Sequence, residues 1–346
     1  MSKFDYSGRI LVTGSQGYIG TELTKELVQL GLEVIGTDIG YFQDARLDDY
    51  VEVPTIQLDL RNREKLNLEG FDCIIHLAAL SNDPLGEFDP AITYSVNREC
   101  AVGLARQAKN QGVRRFIFVS TQSIYGISGT DAELKEDAAK NPVTAYARSK
   151  WEAEQEILSM SSGHYVTTAV RPSTVFGWGS RIRNDIIFNN MVSSGIEKGK
   201  IEVHTDGSPY RPVVHISDVI GFLTLLLEAP GDVIQSQAFN LGRSGGNYTV
   251  FEIAQAASEC LGGIPIVLNT EDLKDQRSYR ISFEKAANEL GFVAKRDLNF
   301  GGKEILRHFN NLEISNKKKY FSDTTRLSLL KKLIESGSLS TDLSWK

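Results

Sequence analysis

The chain has 346 residues, 41% of them hydrophobic and 24% charged, with a formal net charge of -6. That length supports a sizeable core in one large domain or two unequal ones, and the acidic balance lacks the basic face of a nucleic-acid binder. Cys73, Cys100 and Cys260 form no C-x-x-C pair and no cluster with histidine, so neither disulfides nor a metal centre is expected and a reducing compartment fits.

The N-terminal segment "MSKFDYSGRILVTG" has no long apolar run, and no apolar stretch of about 18 residues occurs anywhere. Neither a signal peptide nor a membrane span is expected, and the expected setting is the cytoplasm. In chain order, "RILVT" (9–13) reads as a strand and "YIGTELTKELVQLG" (18–31) as an amphipathic helix ended by Gly31. Strands follow at 32–38, 55–60, 71–79, 113–120 and 165–172, with helices at 90–112 and 145–160. Strands separated by helical segments predict an α/β fold, a parallel sheet covered on both faces.

Beyond Pro172 the pattern loosens. Helices are expected at 184–199 and 217–229 and from Thr249, a plausible N-cap, with a strand at 201–205. From about residue 312 the chain turns polar, "KKK" (317–319) reads as a solvated face, and a short amphipathic helix closes it at 326–337.

"VTGSQGYIG" sets Gly14, Gly17 and Gly20 between the first strand and its helix. Such glycines allow a tight turn, close approach of a pyrophosphate, and close helix–strand packing, with free N–H groups facing the phosphates. Asp38 ends the second strand, 18 residues after Gly20, where a carboxylate can accept bonds from both ribose hydroxyls and would repel a 2′-phosphate. NAD is therefore expected rather than NADP. Asp59, ending the third strand, is placed near the adenine edge.

Tyr146 and Lys150 stand at i and i+4 on one helix and share a face. A nearby ammonium, together with a nicotinamide charge, is expected to bring the phenol down toward neutrality, so that Tyr146 can act as general base or acid. Thr121, at the end of an adjacent strand, would bond the same substrate oxygen.

In their order, "TGSQGYIG", "HLAA" (76–79), Asn97, "VSTQSIYG", "YARSK", "RPSTVFG" (171–177) and "YRPVVHISDV" (210–219) resemble the extended short-chain dehydrogenases/reductases, specifically the NAD-dependent nucleotide-sugar epimerase/dehydratase group, over nearly residues 8–310. The resemblance implies a Rossmann-type doubly wound sheet (1–175 plus about 215–242) that binds NAD. It implies a smaller mixed α/β lobe (176–214 and 243–311) for a nucleoside-diphosphate sugar, with 312–346 a helical extension outside the family core. Thr121, Tyr146 and Lys150 become the catalytic set. Cofactor contacts fall on Gly14, Gly17, Tyr18, Ile19, Gly20, Asp38, Asp59, Leu60, Leu77, Ala78, Ala79, Asn97, Tyr146, Lys150 and Pro172. Substrate contacts fall on Ser81, Asn82, Ser123, Thr174, Arg181, Asn190, Arg211 and Arg277, Arg211 holding the pyrophosphate through its planar fork. Arg183 is a weaker candidate, and His215 reads as a structural strand histidine.

Members of the family that eliminate water carry an Asp–Glu pair where Gln122 and Ser123 stand here, decarboxylating members a glutamate at the position of Ser123, and one type of deprotonating epimerase a cysteine there. Those steps need groups that titrate. The stretch "STQSIYG" thus points away from them and toward 4-epimerisation or simple 4-keto reduction, both of which need only Thr, Tyr and Lys. Asp83 is a further possible acid or base, or simply a loop carboxylate beside Pro84. A non-catalytic dinucleotide sensor on the same fold is the third reading. A homodimer is expected, because the helices at 90–112 and 145–160 carry more apolar positions than one lobe needs and the family pairs them across a four-helix interface. The tail is expected to pack on that dimer or on the smaller lobe.

Overall fold

The computed structural model describes residues 6–47, 52–126, 132–269 and 278–346. Its strands are β1 (Ile10–Thr13), β2 (Val34–Asp38), β3 (Thr55–Gln57), β4 (Cys73–His76), β5 (Arg115–Val119), β6 (Val166–Pro172), β7 (Thr174–Phe176), β8 (Ile201–Val203), β9 (Tyr210–His215), β10 (Gln237–Leu241), β11 (Asn247–Thr249) and β12 (Ile266–Leu268). The main sheet runs β10-β6-β5-β4-β1-β2-β3, and every pairing in it is parallel. Ile10, Leu11, Val12, Cys73, Ile74 and Ile75 of its two central strands are fully buried, as a parallel sheet covered on both faces requires. The strand order reverses between β1 and β4. Ligands of open α/β sheets bind at such a reversal, outside the carboxyl ends of the strands.

Smaller sheets β11-β9-β7 and β12-β8, with the helices Ile187–Lys198, Val250–Cys260 and Leu298–Asn311, pack together as the smaller lobe. The helix Ile216–Glu228 and β10 carry the chain back to the main sheet, where β10 pairs with β6. Thr249 caps its helix in a reciprocal box with Glu252. His215 is buried, faces Glu304 at 2.9 Å and accepts from Ser217 N at the start of the next helix. Among the described residues no helix is long and apolar enough to cross a membrane.

Two expectations change. β3 stops at Gln57, because the Asp59 carboxylate accepts from Arg61 N at 2.9 Å and starts a helical turn over Leu60–Lys65. A helix, Ile314–Ser322, forms in the polar tail, anchored by Tyr320, which is fully buried and stacks on Trp178. The tail meets the smaller lobe, where Asn184 Nδ2 donates to Tyr320 O at 2.8 Å and Arg326 Nη2 to Arg181 O at 2.9 Å, and the helix Arg326–Glu335 reaches the larger one as well. Leu330, Leu339 and Leu343 cluster with Leu80 and Leu85 of the larger lobe.

Between the helices at 90–110 and 145–159 lie the ion pairs of Arg98 with Glu152 and Glu156, all part-exposed.

Candidate active site

The β1–β4 reversal opens into a cavity of about 750 Å³. Gly14 takes φ +69°, and a Cβ there would come within 2.8 Å of Ala78 N, so the turn needs glycine. The helix Tyr18–Gln29 opens at Gly17 with no side-chain cap, leaving its first N–H groups for a ligand. Ile19, Gly20, Leu60, Leu77, Ala78, Ala79 and Pro172 all line the cavity. So does Tyr18, whose hydroxyl donates to Gly177 O at 2.6 Å. The Asp38 oxygens accept from Gly40 N at 2.8 Å and Gln16 N at 3.0 Å. Burial holds this carboxyl above its usual range, against those two bonds. Asp59 also stands on the wall. Glycine cradle, uncapped helix and strand-end carboxylate fit a dinucleotide.

Asn97 does not reach the cavity. It is fully buried in a π-helical turn, Ser95–Cys100, inside the long helix. Its amide donates to Leu80 O at 3.1 Å and to Ser149 Oγ at 3.3 Å, and its carbonyl accepts from Leu80 N at 2.9 Å. The side chain that the resemblance makes a cofactor contact instead clamps the loop after β4 to the Tyr–Lys helix.

Thr121, Tyr146 and Lys150 come together on the cavity wall. Thr121 and Tyr146 share a side-chain hydrogen bond. Lys150 Nζ donates to Val119 O at 2.7 Å and lies 4.6 Å from the Phe118 ring. The expected lowering of Tyr146 is not found in the protein alone. Burial pushes the phenol up to about 12 and the Asp83 charge adds to this, opposed by Thr121 and Arg183. Burial likewise brings the Lys150 ammonium down to about 7, with Glu154 opposing. The desolvation of both groups outweighs their neighbours' charges.

Gln122 is buried and fully engaged. Its amide donates to Arg171 O at 3.0 Å, and its oxygen accepts from Ser173 Oγ at 3.1 Å. Ser81, Asn82, Ser123, Thr174, Asn190 and Arg211 line the cavity. Asp83 does too, and accepts from Thr144 Oγ1 at 2.6 Å, at the cap of the Tyr–Lys helix.

Arg181 is off the wall. It is buried, and its Nη1 and Nη2 donate to Gln16 O at 2.6 Å and Gln43 O at 3.3 Å. Arg183 takes the wall position two residues on, bonded to Ser81 Oγ at 2.7 Å and paired with Asp185. Arg277 lies outside the described residues. Sequence reasoning missed Asp185, Tyr279 and Arg326, which also line the cavity. Only the nearby "GSRIRND" gave a signal, for Asp185; nothing local marks Arg326.

Fold and site together define a two-lobed Rossmann-type dinucleotide-binding protein with a Tyr–Lys pair in its cleft. Residues 10–242 match the model of the NAD dependent epimerase/dehydratase family, and the chain belongs to that family, whose cofactor is NAD. It is 29% identical over 317 residues to UDP-glucuronic acid decarboxylase 1 of Arabidopsis thaliana, covering 88% of this chain and 70% of that one. It is 27% identical over 309 residues to UDP-glucose 4-epimerase of Lactobacillus helveticus, covering 84% and 93%. Among solved structures, MoeE5 in complex with UDP-glucuronic acid and NAD matches with a TM-score of 0.74 at 27% identity, over 86% of this chain and 97% of that one. The epimerase Mth375 of Methanothermobacter thermautotrophicus shares the fold, with a TM-score of 0.77 at 22% identity over 92% and 96%.

Proposed function

We propose that the protein is an NAD-dependent epimerase of a nucleoside-diphosphate sugar, acting at C4 through a transient 4-keto sugar. The observation that carries this is the meeting of Thr121, Tyr146 and Lys150 on one cavity, while Gln122 beside them is consumed in backbone and Ser173 bonds. Bound NAD supplies the hydride acceptor and donor. Tyr146 takes the proton of the C4 hydroxyl and gives it back, and Thr121 holds the same oxygen. Lys150, brought down to about 7, exchanges its proton near neutral pH one helical turn away. Ser123 offers no titrating group for decarboxylation. Arg211, on the smaller-lobe side of the cavity, suits the sugar's diphosphate. The UDP-sugar names of the relatives support a uridine nucleotide. A cytoplasmic setting agrees with three free thiols.

The test is the purified protein with nothing added, denatured, and its released nicotinamide counted by mass spectrometry. About one NAD per chain, surviving gel filtration, is expected of an enzyme that regenerates its cofactor. A protein filled only by added NADH or NADPH would replace this reading with a 4-keto-sugar reductase. Tyr146→Phe should lower turnover about 10²–10⁴-fold with bound NAD retained. No turnover in the wild type would leave a dinucleotide sensor.

A further inference from the structure

The helix Arg326–Glu335 lies beyond the residues that match the family, yet its first residue stands on the cavity wall. Arg326 is 3% exposed. Its Nη2 donates to Arg181 O at 2.9 Å, and its guanidinium carbon lies 4.4 Å from the centre of the Phe42 ring. Its Nη1 has no hydrogen-bond partner within the protein. A buried guanidinium with unused N–H groups is costly unless something answers it.

Its charged neighbours do not answer it. They are Arg181, Arg183, Asp38 and Asp185, so three guanidinium groups face two carboxylates in one buried cluster. Asp185 is bidentate on Arg183, at 2.9 Å to both Nε and Nη2. The Asp38 oxygens accept from the backbone N–H groups of Gln16 and Gly40. Through its bond to Gln16 O, Arg181 joins this cluster to the glycine loop, where the uncapped N-terminus of Tyr18–Gln29 adds positive charge. The tail is seated beside the same groove. Trp345 Nε1 donates to Ile39 O at 2.7 Å, and Arg61 Nη1 to Asp342 O at 2.6 Å.

We propose that Arg326 is a binding residue for the diphosphate of the dinucleotide, supplied by the C-terminal extension to complete the site that the glycine loop begins. A planar guanidinium fork meets two phosphate oxygens at once, while the helix N–H groups meet the others. The proposal rests on the NAD dependence of the family.

Calorimetric titration of the full chain, freed of co-purified nucleotide, tests it with NAD, ADP, adenosine and UDP. ADP shares the diphosphate of NAD, adenosine lacks it, and UDP carries that of the sugar substrate. Arg326→Gln should weaken NAD and ADP about ten- to a hundred-fold and leave adenosine and UDP unchanged. Arg326→Lys keeps the charge without the fork and should lose less. It carries the same test should the glutamine variant not fold. The melting temperature of the nucleotide-free Arg326→Gln protein should change little, while its rise on adding NAD should shrink.

Unchanged NAD affinity, or a lower nucleotide-free melting temperature with the full NAD-induced rise, would make Arg326 structural and overturn the proposal. A loss confined to UDP would assign the residue to the sugar's diphosphate and overturn it equally. A wild type that binds no NAD would instead sink the cofactor reading on which the proposal rests.

Discussion

His76 closes β4 with its ring stacked near Phe116 and Phe118 and its Nδ1 2.8 Å from Thr13 Oγ1. Burial, aided by the Lys150 charge, pushes it down to about 3 from an ordinary 6.5. Between those values the unfolded chain binds a proton that the folded chain refuses. Stability must therefore fall as pH drops through that window, by at most about 1.4 kcal/mol per pH unit. His76→Phe removes the titrating group and should show a shallower loss between pH 6.5 and 4.5 in urea unfolding. Equal slopes in the two proteins would count against a neutral buried imidazole. At this scale the residue types were legible and their ionisation was not. The i, i+4 spacing of Tyr146 and Lys150 is a local property, but the burial that moves the phenol up and the ammonium down, and the Asp83 charge that adds to the first, come from the tertiary packing.

The long helix that begins at Pro90 shows the same division between elements. Its apolar period predicts one helix, and one helix forms. The π-helical turn at Ser95–Cys100 was not legible, because widening one turn leaves the buried face in place. That turn holds Asn97 against both backbone groups of Leu80. Asn97→Ala would leave a buried N–H and C=O unpaired and should cost about 2–4 kcal/mol in urea unfolding. Turnover should fall with it, since Ser81, Asn82 and Asp83 follow directly on the cavity wall. A variant with the stability loss and full turnover would limit Asn97 to the fold. The Thr249 cap, by contrast, was readable because its whole hydrogen-bond pattern spans four consecutive residues.

Across the whole molecule, the tail ties the lobes to the groove. Leu330 is fully buried in the cluster with Leu80 and Leu85, and it seats the helix that begins at Arg326. Leu330→Ala should cost about 2–5 kcal/mol in denaturant unfolding. It should also reduce the NAD that each chain keeps through gel filtration. Destabilisation with full NAD retention would show that the helix acts only as packing. By itself the sequence determined the first six strands of the main sheet to within a few residues, the glycine cradle, Asp38, the Tyr–Lys pair and the absence of titrating side chains at Gln122 and Ser123, because periodicity, turn chemistry and residue type are local. Only the tertiary structure decided that Arg183 and Arg326 reach the cavity while Arg181 and Asn97 brace it. Charge pairing and burial depend on partners far apart in the chain, as Arg326 and Arg181 are, and no local pattern records them.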